Sequence, residues 1–269
     1  MIHFADCDVI LNGLGLTAET ASIAEQASLQ PIYSLGYYGS NMVPSNAVTS
    51  NLQITYKSKV ENDPNVAIIN QLKQQIVNLN ELEIGGVEAK GYLKSFSLKV
   101  VPNQPSEISV SYTCFFPVSG QITEKRGTII YENNFENFGH GWTTSVTYND
   151  TGLAYTYDFS YDVEVNYEPI YTLGNKIPTQ VLFLGGNEKL TITKEKFFTM
   201  DFSGQLAAPA LFSGDGLDNI KIYNLSQNWD SNRQTYLGIN LTGAKITSSS
   251  LDANIDEYLK TRITVERSF

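Results

Sequence analysis

Hydrophobic and polar residues alternate along most of this chain, and a period of two predicts β-strands with one face toward a core. Residues 157–168 give the longest run. Shorter runs at 52–56, 92–100 and 108–116, and a last one around Ile263, predict further strands. In the longest run the apolar set is Tyr157, Phe159, Tyr161, Val163, Val165 and Tyr167, and the polar set is Asp158, Ser160, Asp162, Glu164, Asn166 and Glu168.

Turn residues separate these runs, and one stretch follows helical spacing instead. Asn12-Gly13, the segment 102–106 with its two prolines, and Gly185-Gly186-Asn187 predict turns. Asp63 is a suitable N-cap and Pro64 suits a first helical turn, so we expect a helix over 64–80. Its apolar face consists of Ile69, Leu72, Ile76 and Leu79. A weaker helical pattern covers 217–229.

The chain contains an internal repeat. Residues 22–55 recur without a gap at 160–193, an offset of 138, with ten identities. The clearest match sets Pro31-Ile32-Tyr33-Ser34-Leu35-Gly36 against Pro169-Ile170-Tyr171-Thr172-Leu173-Gly174. A period this long indicates a copied domain, because solenoid units repeat every 20–50 residues or so. The offset is even, so we expect both copies to bury the same strand face, with Ala21, Ile23, Ala27 and Leu29 as its apolar residues in the first copy.

The repeat predicts two tandem mainly-β domains, each with at most one flanking helix. We expect the first at 1–120, including the helix, and the second at 149–269. Residues 121–148 are predicted to form a connecting arm or linker. The second copy carries a longer, glycine-rich insertion at 204–243, expected to be a specialised loop. The final strand, with Ile263 and Val265, is matched to Ile108 and Val110 of the first copy.

Charge and hydropathy narrow the function classes. With 28 acidic and 18 basic residues the net charge is −10, which argues against a surface that grips nucleic acid. The net charge does not exclude a surface over which DNA passes without binding. Solubility alone is the simpler explanation of the acidic composition. No apolar run approaches the roughly 18 residues of a membrane span. The N-terminal residues lack the basic and apolar regions of a signal peptide.

The residues that usually carry chemistry lack the spacing that chemistry needs. His3 and His140 have no ligand partner at a recognisable spacing, and Cys7 and Cys114 form no CxxC pair. No GxSxG elbow and no phosphate-binding glycine loop is present. We therefore predict no catalytic site, no metal and no cofactor. The number of carboxylates alone does not exclude a pair of catalytic carboxylates as in glycosidases.

Two features have both a structural and a functional interpretation. Asp158, Asp162, Glu164 and Glu168 share one strand face, as they would on any half-exposed strand. If that face lines an aqueous lumen, these carboxylates would repel DNA phosphates. The repeated Pro-Ile-Tyr-Ser/Thr-Leu-Gly element is explained either as a strand end with buried Ile and Leu, or as a surface used twice against a neighbouring domain.

The order of these features resembles the tail-tube-type virion proteins of tailed bacteriophages. Each copy has an alternating strand that ends in Pro-Ile-Tyr-Ser/Thr-Leu-Gly, then a variable loop, then Leu-x-Ile-Thr at 52–55 or 190–193, then closing strands. The opening residues 2–9, which lead to Asn12-Gly13, also resemble virion structural proteins of such phages. The resemblance implies β-sandwich or small-barrel domains with a flanking helix, whose inner sheets join between neighbours to line a hollow tube.

A duplicated chain of this kind would build the family's six-fold ring from three copies. The resemblance thus implies a non-enzymatic protein of the phage tail, assembled in the host cytoplasm, whose partners are itself and other tail or baseplate proteins. A baseplate hub or tube-initiator ring is the alternative within this class. A pair of carbohydrate-binding β-sandwich modules is the alternative from another class.

Overall fold

A computed structural model describes residues 9–26, 29–33, 40–44, 49–58, 63–121, 144–148, 151–152, 156–196, 220–225, 234–252 and 259–269. The fold is mainly β, as predicted. The strands of this part of the chain are β1 (Val9–Leu11), β2 (Leu14–Leu16), β3 (Ala18–Gln26), β4 (Leu29–Tyr33), β5 (Ser40–Pro44), β6 (Thr49–Lys57), β7 (Asn80–Ile84), β8 (Val87–Val100), β9 (Glu107–Cys114), β10 (Ser119–Gly120), β11 (Thr144–Tyr148), β12 (Thr151–Gly152), β13 (Thr156–Ile170), β14 (Gln180–Lys196), β15 (Ile220–Leu225), β16 (Gln234–Asn240), β17 (Lys245–Asp252) and β18 (Leu259–Ser268), and its helix is α1 (Pro64–Lys73).

Eight strands form one continuous antiparallel path, in the order β3-β6-β9-β8-β13-β14-β18-β17. We call β3, β6, β8 and β9 the first unit, and β13, β14, β17 and β18 the second unit. Within each unit the strands lie in the same order: first, second, fourth, third along the chain. The pairing of β8 with β13 joins the two units edge to edge.

The first hairpin of each unit has the same register. Every pair between β3 and β6 recurs between β13 and β14 at an offset of 138; Ile23 opposite Leu52, for example, becomes Tyr161 opposite Leu190. Both hairpins carry a bulge at the same point. It lies between Ala18 and Thr20 in the first unit and between Thr156 and Asp158 in the second.

The second hairpin of each unit also matches, at an offset of 153. Phe96 opposite Val110 corresponds to Ser249 opposite Ile263, and both hairpins bulge just after the residue equivalent to Leu93. Ile263 and Val265 therefore match Val110 and Tyr112, two residues further along than predicted. A shift of two keeps the same side chains on the same face, so alternation alone could not detect it.

Alternation correctly placed the core on the predicted strands, except where a bulge interrupts it. Phe159, Tyr161, Val163 and Val165 are buried on β13, as are Leu52, Ile54 and Tyr56 on β6. The bulge after Thr156 takes Tyr157 out of the row, and its ring lies 5.1 Å from Lys260 Nζ. On β8 the bulge near Lys94 moves the buried row from Leu93 to Phe96.

The first half of the chain curls into a barrel-like shape. The early part of β8 pairs with β7, which pairs with β1, which pairs with β2. Only Thr17 separates the end of β2 from the start of β3, so the two ends of this seven-strand path must meet end to end. The β1–β2 turn is the predicted Asn12-Gly13, with φ values of 49° and 80°.

The helix begins where predicted and ends seven residues earlier than predicted. Asp63 Oδ1 accepts a hydrogen bond from Asn65 N at 2.8 Å, so Asp63 is the N-cap. The chain turns out of the helix at Gln75, with φ of 62°, and Ile76 and Leu79 are exposed. These two residues fit the helical spacing but lie outside the core, since β7 begins at Asn80.

Three further expectations from the sequence are wrong. Residues 220–225, within the weak helical pattern, form strand β15. Gly185 and Gly186 lie inside β14, beside a register shift opposite Asn166, and not in a turn. The 204–243 insertion is not simply a loop, because β15 and β16 within it pair with each other. The predicted connecting arm or linker at 121–148 stays a prediction, because residues 122–143 lie outside the described residues; its last residues, 144–148, form strand β11, which pairs with β15.

A second layer covers the core side of the eight-strand path. It consists of the sheet β12-β11-β15-β16 together with α1. Its buried side chains, among them Val146, Ile222 and Ile239, belong to the same hydrophobic core as those of the main sheet. Asn70 of α1 donates to the Gly238 carbonyl of β16 at 3.0 Å. The two halves thus share a sheet and a core, and the division into domains at 1–120 and 149–269 stays a prediction.

A buried polar network fixes the start of α1 to the main sheet. Tyr56 OH donates to Asp63 Oδ2 at 2.7 Å, and Asn65 Nδ2 donates to Tyr56 OH at 2.7 Å. Tyr112 OH donates to Asn65 Oδ1. Asn65 is fully buried, so each of these groups depends on its neighbour for a partner.

We predict that Asp63→Ala lowers the free energy of unfolding by about 2–4 kcal/mol, because the N-cap is lost and the Tyr56 hydroxyl loses its acceptor. Asp63→Asn keeps an acceptor oxygen and serves as the matched control. Urea denaturation followed by circular dichroism measures both, and a loss below about 0.5 kcal/mol for Asp63→Ala would contradict the role of this network.

Burial raises the pKa of Asp63, so wild type should lose stability relative to Asp63→Asn as the pH rises through that folded-state pKa.

Candidate functional site

The joint between β8 and β13 has an apolar and a polar side. Its pairs run from Phe159 opposite Val100 to Glu164 opposite Ser95. On the core side the rings of Phe96 and Tyr161 meet edge to face, with centroids 6.1 Å apart. On the other side Ser97 Oγ donates to Asp162 Oδ1 at 2.6 Å. The backbone ladder and both faces therefore hold the two units together.

A buried charge cluster ties the helix of the first half to the second unit. Glu188 is 0% exposed, and its Oε2 lies 2.5 Å from Lys73 Nζ and 2.7 Å from the Tyr161 hydroxyl. Arg267 approaches the other carboxylate oxygen at 3.7 Å. Lys73 also donates to the Asn240 carbonyl at 3.1 Å. Burial lowers the pKa of Lys73, and the Glu188 carboxylate opposes that shift.

Sequence reasoning missed this cluster because its members are far apart along the chain. The repeat gives one clue. Glu188 occupies the position equivalent to Ser50 at the offset of 138, and both residues are buried. A carboxylate at a buried strand position needs a cation, but nothing local points to Lys73.

The acidic residues singled out from the sequence all lie on the face of β13 that points away from the core. Glu164 and Glu168 are exposed, while Asp158 and Asp162 are half-buried. Asp162 accepts from Ser97 and, at 3.1 Å, from Ser160. The structure thus places these four on one face; that the face lines a lumen stays a prediction.

Neighbouring strands make this face mixed in charge and rich in hydroxyl groups. Lys189 stands directly opposite Asp162, and Lys57 pairs with Glu107 at 2.9 Å. Ser95 and Ser111 share a hydrogen bond of 2.6 Å between β8 and β9. The small hydroxyl side chains that alternate with core residues on these strands include Ser95, Ser97, Ser109, Ser111, Ser160, Thr191, Ser248 and Ser250. Cross-strand neighbours of this kind could not be read from one strand's pattern.

The two ends of the eight-strand path have open edges within the described residues. There β3 pairs only with β6, and β17 pairs only with β18. The open edge changes burial: Ile23 is half-buried, while the equivalent Tyr161, covered by β8, is 0% exposed. Both copies turn the same strand face toward the core, as expected, but β3 buries that face less completely than β13 does. Ala27 lies outside the described residues.

The repeated Pro-Ile-Tyr element lies at a strand end in both copies, as one interpretation expected, but its Ile side chains are exposed and not buried. Leu173 is exposed too, and its counterpart Leu35 lies outside the described residues. The first copy lies on the two-stranded sheet β4–β5 and the second at the far end of β13, which pairs with β14. We call residues 31–33 and 169–174 the tip segments. Their exposed fractions are 50% for Ile32, 77% for Tyr33, 39% for Ile170, 38% for Tyr171 and 105% for Leu173.

The histidines and cysteines considered in the sequence form no recognisable site within the described residues. His3, His140 and Cys7 lie outside the described residues. Cys114 is buried, and burial raises the pKa of its thiol to about 11, so this side chain acts as a small hydrophobe of the core. Across the described ranges no group of three or more His, Cys, Asp or Glu is arranged to hold a metal ion. The helix that those ranges contain is neither long nor apolar enough to cross a membrane.

Comparison with known proteins leaves the family open. No protein-family model matches this chain, and no curated protein matches it. The resemblance to tail-tube-type proteins therefore stays a prediction from the sequence pattern.

We predict that Lys73→Met lowers the free energy of unfolding by about 3 kcal/mol, because the buried Glu188 carboxylate loses its closest cation. A double variant, Lys73→Met with Glu188→Met, should recover most of that loss, since it removes both buried charges and leaves only Arg267, whose half-exposed side chain solvent can reach. Denaturant unfolding of both variants measures the difference. Lys90→Met, at the exposed Lys90–Glu81 pair, is the control and should change stability little. A double variant as unstable as Lys73→Met would contradict this account.

Proposed function

We propose that this chain is a structural protein of a phage tail, and that three copies form a pseudo-six-fold ring of the tail tube through which DNA passes. The observation that carries the proposal is the edge-to-edge junction of two units with identical strand order, register and bulges. A head-to-tail contact that repeats by a constant rotation closes into a ring when that rotation brings the last copy back to the first. The strands equivalent to β13 and β8 are β3 and β17, the two that end the path.

The size of such a ring suits a conduit. Strands lie about 4.8 Å apart and tilt by about 40° in barrels, so three eight-stranded paths would enclose a barrel with opposite backbones roughly 45–50 Å apart. Side chains narrow this opening but leave room for a DNA duplex. Barrels with fewer strands, such as porins, already hold an aqueous channel.

The polar face of the sheet suits passage of a polyanion. Strong DNA binding needs clusters of Lys and Arg that neutralise phosphates. Here the basic Lys189 faces Asp162, Lys57 pairs with Glu107, and short hydroxyl side chains cover the space between charges. With Asp158 and Glu164 added, this face offers no continuous basic track. In the proposed ring it faces the lumen, and α1 and the second layer lie outside.

The tip segments support contacts between stacked rings. Each chain presents the same exposed apolar sequence twice, so a trimer would present it six times around the ring. Exposed apolar groups that recur in this way are typical of protein–protein contacts. We assign them to a second copy of this chain in the next ring. In a baseplate hub or initiator ring, another tail protein would take that place.

The purified protein should form particles of three times its 29.8 kDa mass, and negative-stain micrographs should show annuli with a central pore. Size-exclusion chromatography with light scattering gives the mass over a range of concentrations. Stacked tubes would favour the tube, and single rings the hub or initiator. A chain that stays monomeric at high concentration would overturn the proposal. A monomer that selects one sugar on a glycan array would instead favour the carbohydrate-binding alternative.

Reversing the charge of the polar face should make the assembled protein retain DNA. We expect Asp158→Lys with Glu164→Lys to raise affinity for a short duplex at least about tenfold at low salt, with a gain that shrinks as salt increases. Fluorescence polarisation with labelled DNA measures it. Glu83→Lys with Glu88→Lys changes the net charge equally at the end of β8 that pairs with β7, away from β13, and is the control. Equal affinities for the two variants would show that the β13 carboxylates do not face the DNA.

A further inference from the structure

We infer that neighbouring chains join by antiparallel pairing of β3 of one copy with β17 of the next, with Ile23 opposite Leu251. This inference rests on the proposed self-assembly and adds to it the partner strands and their register. The partner is a second copy of the same chain. The surface is the pair of edges at the two ends of the eight-strand path, which carry no further strand among the described residues.

The register follows from the joint that already exists inside the chain. Tyr161 of β13 stands opposite Leu98 of β8. Subtracting the first-hairpin offset of 138 from Tyr161 gives Ile23, and adding the second-hairpin offset of 153 to Leu98 gives Leu251. The same rule sets Ala24 opposite Ser250, in place of Asp162 and Ser97.

Strand direction agrees with this pairing. All neighbours in the path are antiparallel, and the path contains an even number of strands. Its two end strands therefore run in opposite directions. A second copy placed beside the first in the same orientation brings β17 and β3 together antiparallel, as at the internal joint.

The residues that would face each other between two chains match those of the β8–β13 joint only in part. We therefore expect the contact between chains to be weaker than the joint within the chain. Apolar residues, Ile23 and Leu251, stand opposite each other, and small residues, Ala24 and Ser250, follow. One step further, Glu25 and Ser249 replace the apolar pair Val163 and Phe96 of the internal joint. A one-residue slip would set Ile23 against Ser250 and mix the two faces of the sheet. The contact between chains therefore buries less apolar surface than the joint within the chain, and assembly should depend on concentration.

Cysteine cross-linking tests the register directly. Ala24→Cys and Ser250→Cys are made in separate chains, mixed and oxidised, so that any disulfide must join two molecules. Both parent residues are exposed, and the equivalent Asp162 and Ser97 side chains lie within 2.6 Å. We expect a covalent dimer on a non-reducing gel from the mixture and not from either variant alone. Ala24→Cys mixed with Ser248→Cys, two residues out of register, should give at least about fivefold less.

The outcomes separate this inference from the proposed function. Native Cys7 and Cys114 are accounted for by the unmutated protein oxidised in parallel, and circular dichroism confirms that each variant folds. If light scattering shows no self-association, the proposed ring fails. If trimers form and the shifted pair cross-links as well as or better than the predicted pair, the ring stands and this register is wrong. The same holds if trimers form and neither mixture cross-links.

Discussion

Backbone pairing between β8 and β13 is the interaction on which the rest of this structure depends. It joins the third strand of one unit to the first strand of the next, so two copies of a domain-sized sequence become one sheet. The rigid ladder fixes both the spacing and the rotation between the units. Those two quantities decide whether further copies, added by the same rule, would close a ring or extend indefinitely.

The buried charge cluster makes the two units unequal. The first unit has Ser50 where the second has Glu188, and the described part of the chain supplies one helix, whose Lys73 reaches that carboxylate. A buried ion pair contributes little net stability, since desolvation offsets much of the attraction, but it penalises arrangements that separate the charges. The cluster therefore favours one way of packing α1 over the sheet, and it ties the helix of the first half to the second unit.

The sequence predicted local structure well wherever one buried face controls the pattern. The strands at 52–56, 108–114 and 157–165 follow from alternation, and the start of α1 follows from Asp63. The helix end failed because Ile76 and Leu79 keep the spacing without reaching the core. The β8–β13 joint could not be predicted, because strand pairing depends on partners more than fifty residues apart. The match of Ile263 was two residues off, since an even shift leaves the buried face unchanged.

The identities between the two copies include core residues, Leu52 with Leu190 and Ile54 with Ile192, and also exposed residues of the tip segments. Duplicated domains that share only a fold are expected to keep core residues and vary on the surface, because exposed side chains contribute little to stability. Here the core-facing Ala21 and Ile23 correspond to Phe159 and Tyr161, whereas Pro, Ile and Tyr recur in the exposed tip segments. Packing within the chain accounts for the identities in the core but not for those in the exposed tip segments. The proposed contact between stacked rings, made at both tips with the same chemistry, would account for them.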